Sequence, residues 1–152
     1  MHTFFFQNNE MRLLESNNSL ERAADMNNLS IVDVPPDGDC LYHAVSEQLL
    51  LAGIQCGNYD IELGGKYLRE SLLEYLTAEN EFYHQHYWDF FKDGQFDQYL
   101  HRLQHGEWAD NFAIAATANM LNIRINILEK RGEWIVIDPD TRISNNPQNL
   151  EQ

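Results

Sequence analysis

The spacing of apolar residues changes several times along the chain, and each change marks an element. Thr3 to Phe6 is a short apolar run that predicts a strand. Residues 17–28 predict a helix with Asn and Ser caps at its start and an Asn pair at its end. Leu29 to Val34 is β-rich and is stopped by Pro35 and Pro36. From Cys40 the period becomes helical, through Leu41, Ala44, Val45 and Leu49, until Gly53 ends it. Residues 64–91 predict one or two helices with Leu68, Leu72, Leu73, Tyr75 and Leu76 turned inward. Residues 94–107 supply another helix, stopped at Gly106. Small residues from Trp108 to Asn122 suit a closely packed helix, with Asp110 or Asn111 as its cap. Ile123 to Leu128 then alternates as a strand, and Glu133 to Asp138 is its hairpin partner across the Lys130-Arg131-Gly132 turn. From Thr141 onward the letters are turn chemistry without a core face.

This order predicts one α+β domain over residues 1–152, with a small, mostly antiparallel sheet packed between helices. Composition supports a core, since 43% of residues are apolar and 12% aromatic, too many for a disordered segment. A formal net charge of −14 argues against nucleic acid and anionic membrane surfaces as partners, and favours a partner with a basic face. The apolar start, "MHTFFF", is too short for a signal peptide or a membrane span. Two cysteines, Cys40 and Cys56, make no disulfide framework, so a reducing compartment is expected. The expected state is a monomer in the cytoplasm, or in a host cell's cytosol if the chain is a secreted microbial effector.

One stretch changes the picture from fold to chemistry. In "PPDGDCLYHAV" a tight Asp-Gly-Asp turn delivers a thiol to the start of a helix. There the unpaired amides and the positive end of the helix dipole favour thiolate, and the same amides can take charge developing on a carbonyl oxygen. Gly38 allows the turn and a close backbone approach, and Asp37 can bond back into the turn. The plain alternative is a buried cysteine in an ordinary capped turn.

The nine residues Asp37 to Val45, "DGDCLYHAV", resemble the nucleophile motif of the ovarian-tumour (OTU) family of cysteine deubiquitinases. A second segment, "EWADNFAIAATANMLNIRINIL", resembles that family's later unit, in which a Trp opens a helix of small residues leading into a strand. The resemblance is strongest over residues 30–138. It implies a papain-like cysteine peptidase fold, ubiquitin or polyubiquitin chains as partner, hydrolysis at the C-terminus of ubiquitin, and no cofactor. By position it implies Cys40 as nucleophile, with Asp37, Gly38 and the Cys40 amide shaping the oxyanion hole. His43 falls at the motif's Arg/His position rather than at that of the base.

The chain departs from the family in its base. The usual histidine follows the equivalent of "IRINIL", and no histidine occurs here beyond His105. Three readings stand: the chain is cut before that strand, the order is permuted so that His2 is the base, or the domain is catalytically dead. Against His2, the residue two beyond it is Phe4, where the family usually has Asn or Asp. Asp33 and Asp37 are candidates for orienting a base. The rival from another class is a non-catalytic ubiquitin-binding module. A metal-binding domain is a more distant one, since the pairs His101/His105 and Cys40/His43 lack third and fourth ligands at suitable spacing. The aromatic stretch from Phe82 to Tyr99 reads either as helix core or as a docking surface.

Overall fold

The structure is a computed structural model; it describes residues 2–4 by their backbone, and residues 17–35, 37–87, 91, 95–129 and 131–144. Helix α1 (Asn17–Met26), the first among the described residues, ends through the left-handed Asn28 at φ 56°, with the Leu29 amide returning to the Ala24 carbonyl at 2.9 Å. Helix α2 (Cys40–Ala52) begins at the cysteine and closes on Gly53 in the left-handed region, whose amide reaches back to Leu50. A single 3₁₀ turn (Ile61–Leu63) follows, and then α3 (Gly65–Ala78) and α4 (Asn80–His86), separated at Glu79. Helices α5 (Gln95–Gln104) and α6 (Asn111–Leu121) complete the helical layer, and α7 (Thr141–Ser144) is one short turn.

The sheet has three strands in the order β1 (His2–Phe4), β2 (Ile125–Leu128), β3 (Trp134–Ile137). β2 and β3 are the antiparallel hairpin, in register Ile125 with Ile137 and Leu128 with Trp134. β1 joins the other edge of β2 in parallel, His2 opposite Ile125. The α+β expectation holds. Of the 3–6 strand, Phe5 and Phe6 lie outside the described residues. β2 looks half-exposed from its alternation, yet all four of its residues are buried, including Asn126. As the central strand it is covered on both faces.

One expected strand is absent: residues 29–34 form no strand among the described residues, although their composition is β-rich. Their side chains are exposed or half-exposed, so pairing would bury little apolar area, and propensity alone does not make a strand.

Helix α3 is central, packing against α2, α5 and α6, while β1 packs on α2. Its inward stripe is as the spacing predicts, with Leu68, Leu72 and Leu76 fully buried and Leu73 and Tyr75 partly so. Each buried leucine contributes about 1.5–3 kcal/mol relative to exposure. Of the aromatic stretch, Tyr83, Phe91, Phe96 and Tyr99 are core and Phe82 and Tyr87 are partly buried against it, while Trp88 and Phe90 lie outside the described residues. Phe91, Tyr99 and Tyr83 meet Phe112 of α6 edge-on, with ring centroids 4.6, 5.1 and 5.6 Å away, and Phe96 stacks edge-on against Phe91. A polar seam closes the far end: Asn119 donates to the Tyr83 and Tyr87 hydroxyls and accepts from the Asp140 amide at 2.8 Å. Tyr87 donates in turn to Asp140.

Candidate active site

The Cys40 loop is held from within and from outside. Within it, the Asp37 carboxylate accepts from the Asp39 amide at 2.9 Å, the local turn that an aspartate favours. The Asp37 amide donates to the Pro35 carbonyl and the Cys40 amide to the Asp37 carbonyl. The Gly38 amide has no acceptor among the described residues.

Outside the loop, Gly38 lies against the end of α5. A Cβ placed on it would sit 2.2 Å from the Gly106 carbonyl oxygen, so no larger residue fits without moving backbone. The glycine is therefore required by close approach, and not by a positive φ, which Gly38 does not have. Arg69 of α3, only 6% exposed, spans the same junction. Its Nε donates to the Asp39 carboxylate and one terminal nitrogen to the Gly38 carbonyl. The other terminal nitrogen donates to the carbonyls of Leu103 at 3.1 Å and Glu107 at 2.8 Å. The guanidinium lies 4.8 Å from the centre of the Tyr42 ring.

Cys40 is 5% exposed. Burial pushes its thiol above the ordinary value, which outweighs the Leu41 amide that favours the thiolate; Asp37 adds to the upward shift, while the Cys40 amide and Arg69 oppose it. The donors at the helix start favour the thiolate, but in this environment burial exceeds them.

His43 turns toward Asp37, its Nε2 3.6 Å from the carboxylate, and its ring packs on the backbone of Gly65. Among the described residues the charged groups that act on the Cys40 thiol are Asp37 and Arg69, neither of them an imidazole. Asp33 is exposed in the segment before the loop. His2 is placed by its backbone in β1, on the strand that packs against α2, and its side chain lies outside the described residues.

Metal binding has little to build on. Asp37, Asp39 and His43 bring ligand atoms within 4.8 Å of one another, but Asp39 is engaged by Arg69. His101 and His105 stack on the surface of α5, ring centroids 4.2 Å apart, with no third ligand among the described residues. A 560 Å³ cavity lined by Tyr59, Glu74, Tyr75, Asn119 and Asp140 shares no residue with the Cys40 loop.

Sequence reasoning missed Arg69. A signal was present, since Arg69 stands three and seven residues before Leu72 and Leu76 and so shares their inward stripe. A charge at a core position calls for buried partners.

Compared with known proteins, residues 35–152 match the family model described as OTU-like cysteine protease. No curated protein and no solved structure matches the chain.

Proposed function

The chain belongs to the family of OTU-like cysteine proteases, and from that premise we propose that it hydrolyses the peptide or isopeptide bond at the C-terminus of ubiquitin or a ubiquitin-like modifier. The observation that carries the reading is Cys40 at the first position of α2, behind a loop locked to α3 and α5, inside the segment that the family model covers. In this reading the Cys40 thiolate attacks the scissile carbonyl carbon. The carbon–nitrogen bond breaks, the leaving amine takes the proton that the base removed from the thiol, and a thioester remains. Water then adds to the thioester, releasing the ubiquitin carboxylate and restoring the thiol. Asp37 shapes the loop, the Gly38 amide is open to the developing oxyanion, and the Cys40 amide joins it by giving up its bond to the Asp37 carbonyl.

The base in this reading is His2. What supports it is placement: β1 pairs with β2 beside the hairpin and packs on the helix that Cys40 opens. The strongly acidic surface suits ubiquitin's basic face and gives no support to a nucleic-acid partner. A second reading, a ubiquitin-binding module without turnover, is favoured by one observation. The thiol is raised by burial, with no imidazole among the described groups acting on it.

Hydrolysis of a fluorogenic ubiquitin C-terminal amide by the full chain separates the two. Turnover that vanishes in C40A and falls roughly a hundredfold or more in H2A is the expected result. Turnover indifferent to H2A removes His2 from the mechanism. Binding of ubiquitin without turnover favours the module.

A further inference from the structure

We infer that Arg69 is a positioning residue for Cys40: it holds the Asp39 carboxylate away from the amino end of α2, so that the Leu41 amide stays turned to the sulfur. The inference deepens the peptidase reading of this site and rests on it.

An aspartate in the place just before a helix ordinarily accepts from the second or third helical amide. The molecule contains that arrangement at α6. There Asp110, in an extended conformation with φ −102° and ψ −177°, accepts from the Ala113 amide at 2.8 Å. Asp39 has the same place before α2 and does not do this. Its backbone is at φ −95° and ψ 9°, and its side chain makes no bond to a helix amide. The carboxylate is instead taken by the Arg69 Nε. Arg69 is itself immobilised, because its remaining donors go to the carbonyls of Gly38, Leu103 and Glu107. A buried guanidinium held by four hydrogen bonds is costly to disturb, which makes it a firm anchor.

The consequence falls on the thiol. With Asp39 held aside, the Leu41 amide is free to bond to the Cys40 sulfur, where it favours the thiolate. Releasing Asp39 would bring a carboxylate to that amide and a negative charge beside the sulfur. Among the described residues, the charged and titratable groups around the loop are Asp37 and Asp39 on the loop itself, Tyr42 and His43 on α2 and Arg69 on α3, with Asp110 acting on Tyr42 from the start of α6.

The test uses the full chain carrying Cys56→Ser, so that one thiol is read. Alkylation of Cys40 by iodoacetamide is followed against pH by intact mass in R69Q, D39A and R69Q/D39A, alongside thermal unfolding and the kcat and KM for a fluorogenic ubiquitin amide. In R69Q the alkylation profile should move to higher pH, and kcat should fall roughly a hundredfold with KM within about twofold. Adding D39A should move the profile back toward that of the parent, and D39A alone should leave it near the parent. A merely structural arginine does not produce that recovery. The inference is overturned if folded R69Q keeps the parent profile, or if R69Q/D39A is no better than R69Q. If R69Q loses its unfolding transition, R69K with and without D39A carries the same comparison. The alkylation arm needs no ubiquitin, so a parent chain that shows the expected profiles but no turnover contradicts the peptidase reading alone.

Discussion

Helix α2 has a buried thiol near each end, and the two differ in what surrounds them. Cys40 opens the helix and Cys56 follows it, in a turn where it bridges to Tyr59. They are 5% and 6% exposed, and burial pushes both thiols above the ordinary value. At Cys56 burial is the whole cause. At Cys40 the Leu41 amide, its own amide and Arg69 all work against burial. Burial therefore does not distinguish the two; the oriented donors do. A helix start provides amides, and a clamped loop keeps them aimed.

The largest contrast should appear in catalysis. Cys40→Ala should reduce hydrolysis of a ubiquitin C-terminal amide by roughly a thousandfold or more, whereas Cys56→Ala should leave it within about twofold. Equal losses would erase the distinction between the two ends. The next contrast uses a glycine from each end. Gly38→Ala forces a Cβ against the Gly106 carbonyl and should cost about 2 kcal/mol in denaturant unfolding, with turnover reduced. Gly53→Ala meets no neighbour but strains a left-handed residue, so it should cost about 1 kcal/mol and leave turnover unchanged.

Titration sharpens the comparison further. In single-cysteine chains both thiols should alkylate with midpoints above the ordinary thiol value of about 8.5. Asp37 raises the Cys40 thiol, so Asp37→Asn should move the Cys40 profile to lower pH and leave that of Cys56 in place. The smallest effect lies away from both. Hydrogen bonds from Arg142 hold the Asp140 carboxyl at about 2. Because that value is depressed, its stabilisation is present above the ordinary carboxylate range near 4 and is lost as pH falls through about 2. Acid unfolding of Asp140→Asn should lack that part of the slope.

What could be read from the letters follows how far apart the interacting residues stand. The helix from Cys40 was legible because Leu41, Ala44, Val45 and Leu49 repeat locally, and Gly53 announces its end. Asp110 was legible as a cap because it bonds three residues ahead. Gly38 was legible as special, but the reason was not, because Gly106 meets it only through the fold. Arg69 was missed for the same cause: its partners Gly38, Asp39, Leu103 and Glu107 are distant in sequence. Residues 29–34 erred the other way, since β-rich letters form no strand among the described residues.

The most direct test of the central claim is the intact mass of the chain after mixing with ubiquitin carrying a C-terminal thiol-reactive group. The account predicts a gain of one ubiquitin that persists in Cys56→Ala and disappears in Cys40→Ala. No gain, with Cys40 still alkylated by a small reagent, would contradict it, leaving an accessible thiol in a chain that does not present it to ubiquitin.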